Sequence, residues 1–199
     1  MDSDDVKRIN RLWENIYPYL TAHVMESYRR TSGSVLELGP FSGGISFELA
    51  RLYSGLTLTI AYESPAMLEY FKDEIAGRGL SERIAVKKTD LNHLAFDNSQ
   101  FDLVIFRGVF FFLDEKTDLL REIHRVLKDG GIAFAGGGYG KGIPRELIDE
   151  ISEESRELND RLGRRRFSIQ ELEEIIKTSK LSGTCRIEEE GGVWLIIEK

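Results

Sequence analysis

The stretch 35–46, V-L-E-L-G-P-F-S-G-G-I-S, constrains this chain more than any other. Apolar residues around an acid reach a glycine, pass through a tight segment to a glycine pair and continue as an amphipathic run. That is the pattern of a buried strand turning sharply into a helix. Glycine lets a backbone come close to a ligand, and the free N–H groups of a helix start face a polar or negatively charged group. Such a turn can hold a nucleotide, and the residues that follow must say which kind.

The pattern on either side alternates. Ile9, Leu12, Trp13, Ile16, Tyr17 and Leu20 stand at helical spacing within 5–29, and Pro18 interrupts them, which predicts two helices or one kinked helix across the top or edge of a sheet. Strands are predicted over 34–38, 56–62, 83–88, 101–106 and 132–135, with helices over 42–53, 64–76 and 115–127, the last stopped by Asp129-Gly130-Gly131. Ser64-Pro65 reads as a cap followed by the first helical residue. Helical patterns return over 144–162 and 168–179, the second opened by a capping box of Ser168 and Glu171. The segments 184–190 and 193–198 flank Gly191-Gly192 and read as a hairpin with a two-residue glycine turn.

These elements predict an α/β fold: a doubly wound, mostly parallel, seven-stranded Rossmann-like sheet with a C-terminal antiparallel hairpin and an N-terminal helical cap. A single domain is expected over 1–199, divided into a cap (1–33), a ligand-binding core (34–135) and the closing helices and hairpin (136–199).

A formal net charge of -7 argues against a general nucleic-acid binder and for a small-molecule partner. Cys185 is the single cysteine, so no internal disulfide or cysteine metal cluster is available, and a reducing cytoplasm is the expected compartment. The acidic start M-D-S-D-D-V-K-R has no targeting character, and no apolar run is long enough for a membrane span.

In an open α/β sheet, ligands bind beyond the carboxyl ends of the strands where the strand order reverses. The residues at those ends are Glu37 to Gly44, then Glu63, Asp90 with Leu91, and Arg107 with Gly108. Glu63 follows Gly39 by about two dozen residues, close to the spacing at which an acid meets a ribose in a nucleotide-binding βαβ unit. Asp90 is placed to accept from an exocyclic amine such as adenine N6. Arg107 ends a very apolar strand and needs a partner, either on the ligand or in Glu37 or an N-terminal acid.

At these residues the chain resembles a small class I S-adenosylmethionine-dependent methyltransferase. Residues 35–43 resemble the family's first motif, with Glu37 two positions before Gly39. Tyr62-Glu63-Ser64 with Ala66-Met67-Leu68 resembles the second-strand acidic motif, and Asp90-Leu91 the adenine-contacting pair. Residues 101–113 followed by E-I-H-R-V-L-K-D-G-G resemble the fourth strand, its loop and the next helix-to-strand turn. The resemblance covers 34–135 and implies S-adenosylmethionine as cofactor, S-adenosylhomocysteine as product, a small-molecule acceptor, no metal, and an admissible homodimer. It implies that Glu37, Gly39, Pro40, Phe41, Gly43, Glu63, Ser64, Asp90, Leu91, Arg107 and Gly108 bind the cofactor. No unique catalytic residue is required; the catalytic candidates are His93 as a proton acceptor, Tyr139 as a substrate contact and Tyr17.

One residue departs from the family pattern: Phe41 stands where a second glycine is usual. Phenylalanine does not take positive φ cheaply, so the loop is expected to follow a different path and to narrow or close the methionine end. The alternatives are therefore a non-catalytic cofactor-binding protein, or an RNA or protein methyltransferase supported by Arg161, Arg164, Arg165 and Arg166. Trp13, Tyr17 and Tyr19 are candidates for a lid or for core. Residues 109–113 can wall the acceptor site, form a dimer contact or be core. The glycine-rich run 136–142 lacks the ending of a phosphate loop and reads as a mobile rim carrying Tyr139.

Overall fold

The computed structural model describes residues 1–114 and 118–199, so part of the helix predicted over 115–127 lies outside the described residues. Two helices, α1 (Ser3–Leu12) and α2 (Tyr17–Tyr28), are joined by a 3₁₀ turn at Glu14–Ile16. Asp2 caps α1 by accepting from the N–H groups of Asp4 and Asp5, and Pro18 lies in the first turn of α2, where its missing N–H removes no helical bond. Strands β1 (Ser32–Leu38), β2 (Gly55–Tyr62), β3 (Ile84–Lys88), β4 (Phe101–Arg107) and β5 (Leu127–Gly137) alternate with α3 (Gly44–Leu52), α4 (Pro65–Gly77) and α5 (Leu119–Val126). Helices α6 (Arg145–Arg161) and α7 (Ile169–Thr178) lead to β6 (Cys185–Glu188) and β7 (Val193–Glu198).

The seven strands lie in the order β3-β2-β1-β4-β5-β7-β6. The pairs from β3 to β5 are parallel, and β7 runs antiparallel to both β5 and β6. Sequence order reverses between β1 and β4, which opens a crevice beyond their carboxyl ends. Leu103, Val104, Ile105 and Phe106 of β4 are buried at consecutive positions, as a strand covered by helices on both faces requires. None of the helices among the described residues is long and apolar enough to cross a membrane.

Three local expectations are corrected. Asp129-Gly130-Gly131 do not separate a helix from a short strand: α5 ends at Val126 and β5 begins at Leu127, with a register shift between Phe101 and Leu103. The glycines form a bulge held from outside, since Gly130 N–H donates to the Lys199 carbonyl, Lys199 N–H to the Gly131 carbonyl, and Arg30 to the Gly130 carbonyl. The hairpin turn is longer than two residues, because Glu188 pairs with Trp194. The reason is that the Gly191 carbonyl accepts from Gly140 N–H, 2.9 Å away, instead of closing a tight turn. The same contact removes the free rim expected at 136–142. A Cβ on Gly138 would stand 2.3 Å from the Gly191 carbonyl oxygen, so the two backbones touch where both are glycine. The capping box of Ser168 and Glu171 forms as predicted, whereas Ser64 occupies its cap position without a side-chain cap bond.

Candidate active site

The turn from β1 to α3 is fixed by Glu37, which is fully buried. Its Oε2 accepts from the N–H groups of Gly43 and Ser46, each at 3.0 Å, binding the loop and the first turn of α3 to the strand end. Burial pushes this carboxyl above the usual carboxylate range, opposed by those donors. Glu37 Oε1 and the Ser42 hydroxyl are buried without a hydrogen-bond partner among the described residues.

Phe41 does not distort the loop in the way expected. Positive φ falls on Gly39 (93°) and Gly43 (110°), and Phe41 is absent from the non-glycine residues with that geometry. Its side chain turns inward instead and is 2% exposed. The ring lies on Gly108, where a Cβ would stand 2.4 Å from Phe41 Cδ2, and its centroid is 5.0 Å from that of Phe111.

Arg107, at the end of β4, is 5% exposed and pairs with neither Glu37 nor an N-terminal acid. Its guanidinium donates to Asn10 Oδ1 at 2.9 Å, to the Tyr17 hydroxyl at 3.1 Å and to the Phe41 carbonyl at 3.3 Å. It lies 4.6 Å from the Trp13 ring centroid and 5.3 Å from that of Tyr17, so the two cap helices stand over the strand end through one cation. Asn10 also donates to the Pro40 carbonyl at 3.2 Å. The Tyr17 ring occupies the space a Cβ on Gly44 would need, 2.2 Å from its Cε2. Burial raises the Tyr17 hydroxyl far above its ordinary value, which keeps this phenol protonated and unsuited to accept a proton.

The acidic residues that follow β2 and β3 are exposed. Glu63 is exposed at the end of β2 and makes no hydrogen bond or ion pair among the described residues. Asp90 follows β3, brought beside Glu63 by the Tyr62–Lys88 pairing and the Thr89 N–H to Tyr62 carbonyl bond. Asp90 is exposed, and its Oδ1 accepts from Asn92 N–H at 2.7 Å. Leu91 is buried, and Ser64, Gly108 and Phe112 are half-buried.

His93 projects from the turn after Asp90, 88% exposed and 3.9 Å from Glu122. Tyr139 stacks on Trp13 at 5.0 Å between centroids and 12° between planes. Val109, Phe110 and Leu113 are core. The arginine cluster does not act as a unit. Arg161 pairs with Asp5, Arg166 with Asp160, and Arg165 donates to the Leu113 carbonyl. Asn10 was not singled out from the sequence; a polar residue within the buried series Val6, Ile9 and Trp13 is the signal that marks it.

The residues present fit an adenosyl group. Two exposed carboxylates at adjacent strand ends can accept from ribose hydroxyls and an adenine amine, and unpartnered polar atoms lie behind the glycine loop. The end of β4 is covered by Phe41, Tyr17 and Trp13, whose rings lie against the Arg107 guanidinium.

Comparison with known proteins identifies the fold and the family. A putative S-adenosyl-L-methionine-dependent methyltransferase from Methanococcus maripaludis superposes with a TM-score of 0.81 at 27% identity, covering 100% of this chain and 93% of that one. PigF with S-adenosylhomocysteine shares the fold, with a TM-score of 0.71 at 22% identity over 100% of this chain and 60% of that one. Ubiquinone/menaquinone biosynthesis C-methyltransferases are similar in sequence. That of Cellvibrio japonicus is 30% identical over 62% of this chain and 47% of the relative, and that of Desulfotalea psychrophila 33% over 50% and 39%. The chain thus spans less than half the length of these two curated relatives. The family model described as "Methyltransferase domain" matches residues 36–135, the interval that carries the glycine loop, both exposed carboxylates and Arg107, and the chain belongs to this family of S-adenosylmethionine-dependent methyltransferases.

Proposed function

We propose that this protein transfers a methyl group from S-adenosylmethionine to a small-molecule acceptor, leaving S-adenosylhomocysteine. The observation that carries the reading is the pair of exposed carboxylates, Glu63 and Asp90, just beyond the ends of the paired strands β2 and β3. Glu63 binds the ribose hydroxyls, Asp90 the adenine amine, and Leu91 and Ser64 border the base. Gly39, Pro40, Phe41, Gly43 and Gly108 shape the crevice floor, while Glu37 acts from behind by bracing the loop. Arg107 provides the cation for the amino-acid end, which requires Asn10 and Tyr17 to release part of its donor set. The bound cofactor supplies an activated methyl on a sulfonium. The protein's work is then to exclude water, to orient the acceptor in line and, for a protonic acceptor, to receive a proton.

A small acceptor is favoured over nucleic acid by the net charge of -7 and by the dispersal of the arginine cluster into separate contacts. The single cysteine supports a cytoplasmic setting. A homodimer is admissible, and light scattering reads it directly. The curated relatives are named for ubiquinone and menaquinone biosynthesis, so phenols and quinols belong in the first acceptor panel.

The test is a calorimetric titration with S-adenosylmethionine, followed by a screen for S-adenosylhomocysteine over that panel. Binding with turnover supports the proposal, and no binding at millimolar cofactor overturns it. A second reading, binding without turnover, is favoured by the buried Phe41 ring and the engaged Arg107 donors. Saturable binding with no product over the whole panel selects it.

A further inference from the structure

Beyond the end of β5 lies an open cavity of about 600 Å³ whose wall includes Trp13, Gly137, Tyr139, Ile148, Arg156 and Arg164. It is separate from the Glu63 end of the crevice, but it shares a wall with the other end. Gly136 pairs with Arg107 across the sheet, and Trp13, whose ring faces the Arg107 guanidinium at 4.6 Å, also lines the cavity. A molecule held here abuts the methionine end of the cofactor crevice across the Trp13 and Tyr139 stack.

The charge inside this cavity is unbalanced. Arg166 pairs with Asp160, the one acid of the lining, at 3.0 Å. Arg156 and Arg164 border the same space as exposed residues, and their side chains make no hydrogen bond or ion pair among the described residues. Arg164 Nη2 lies 3.7 Å from the point a Cβ on Gly137 would occupy, which sets the guanidinium beside the strand end. The lining also includes the apolar or aromatic Tyr139, Ile148 and Val193, with Trp13 stacked on Tyr139 and 6% exposed. Ser155 and Asn159 are already engaged, Ser155 Oγ by Trp13 Nε1 at 3.0 Å and Asn159 Nδ2 by the Ser155 carbonyl at 2.6 Å. Two guanidinium groups in a lining shared with Tyr139, Ile148 and Val193 suit a small organic carboxylate with a planar apolar body, because a guanidinium offers paired donors to two oxygens while the body packs on the apolar side chains.

We infer that this cavity seats the acceptor, a small aromatic or otherwise planar carboxylic acid held by Arg164 and Arg156, and that the Trp13–Tyr139 stack between the cavity and the crevice parts for transfer. The inference rests on the methyltransferase reading for its role, and on the cavity alone for its binding. The experiment is calorimetric titration with benzoate and with its neutral counterpart benzamide, on the wild type and on Arg164→Gln, Arg156→Gln and Arg161→Gln. Benzoate is expected to bind at least about tenfold more tightly than benzamide, and Arg164→Gln to remove most of that difference with benzamide affinity unchanged. Arg156→Gln is expected to remove part of it. Arg164→Lys restores some of it, which separates lost charge from lost fold. Arg161→Gln, from the same cluster but paired with Asp5, leaves benzoate affinity as it was. Equal affinities for the two probes, no benzoate binding at millimolar concentration, or an unchanged preference in Arg164→Gln overturns the inference. Parallel titration with S-adenosylmethionine separates the two ideas. Lost cofactor binding with the benzoate preference intact overturns the methyltransferase reading alone. Intact cofactor binding without that preference overturns the carboxylate site alone.

Discussion

The Arg107 guanidinium donates to the Phe41 carbonyl at 3.3 Å and stands 5.2 Å from the centroid of the Phe41 ring, so one cation holds both the backbone and the side chain of the residue that replaces a loop glycine. The pair explains how this chain keeps a glycine-type turn with a phenylalanine in it. The left-handed geometry rests on Gly39 and Gly43, and the ring is absorbed by Gly108, Phe111 and Arg107.

Removing the ring should open the crevice at a cost in stability. Phe41→Ala is expected to lose about 3–5 kcal/mol, the usual cost of deleting a buried phenylalanine ring. Affinity for S-adenosylmethionine should rise in the same variant, because the methionine end no longer has to displace the ring. Denaturant melts and calorimetry measure the two effects separately. Unaltered cofactor affinity would mean that the ring does not border the ligand.

Glu63 and Asp90 are exposed, so their neutral forms test binding without disturbing the core. Glu63→Gln and Asp90→Asn should each weaken S-adenosylmethionine binding by roughly ten- to a hundredfold, the loss of about 1.5–3 kcal/mol from a charged hydrogen bond. Glu63→Gln should leave the melting temperature nearly unchanged. Asp90→Asn keeps an amide oxygen to accept from Asn92 N–H in the turn, so its effect on stability should also be small. Equal affinity in both variants would remove the assignment of the adenosine end.

Gly44 is the point at which the cap touches the loop. Gly44→Ala places a methyl within the Tyr17 ring and should destabilise the fold by about 1–3 kcal/mol. Strain should appear first as release of the cap. Faster hydrogen exchange in α1 and α2, with β1 and β4 still protected, is the expected signature; uniform exchange across the molecule would contradict it.

Asp102 gives an acid-sensitive contribution to stability. Partial burial would raise its carboxyl, but hydrogen bonds from Lys128 and Ser34 outweigh that and hold it down to about 2, against an ordinary value of 3.8. A lowered carboxylate stabilises fully above its unfolded value, and the gain is lost as pH falls through the folded value. Urea titrations should therefore show about 1–2 kcal/mol lost between pH 3.8 and 2, a loss that Asp102→Asn abolishes by lacking it from the start.

The sequence by itself determined the alternation of strands and helices, the parallel core, the Ser168 capping box and the strand ends at which Glu63, Asp90 and Arg107 stand. Hydrophobic period and turn residues act within a few positions of one another, so they can be read along the chain. Tertiary structure alone decided what depends on contacts between distant segments. Asn10 and Arg107 meet across 97 positions, and Trp13 and Ser155 across 142. Gly130 is a bulge because the last residue of the chain donates to and accepts from its neighbourhood, and the hairpin turn lengthens because Gly140 takes its carbonyl. Likewise four arginines written almost side by side part company in space, since each finds the nearest acid, carbonyl or cavity that packing brings to it. For the loop that opens at Val35, local pattern fixed the turn, and the direction of the Phe41 ring was settled by the free volume over Gly108 and the cation beside it.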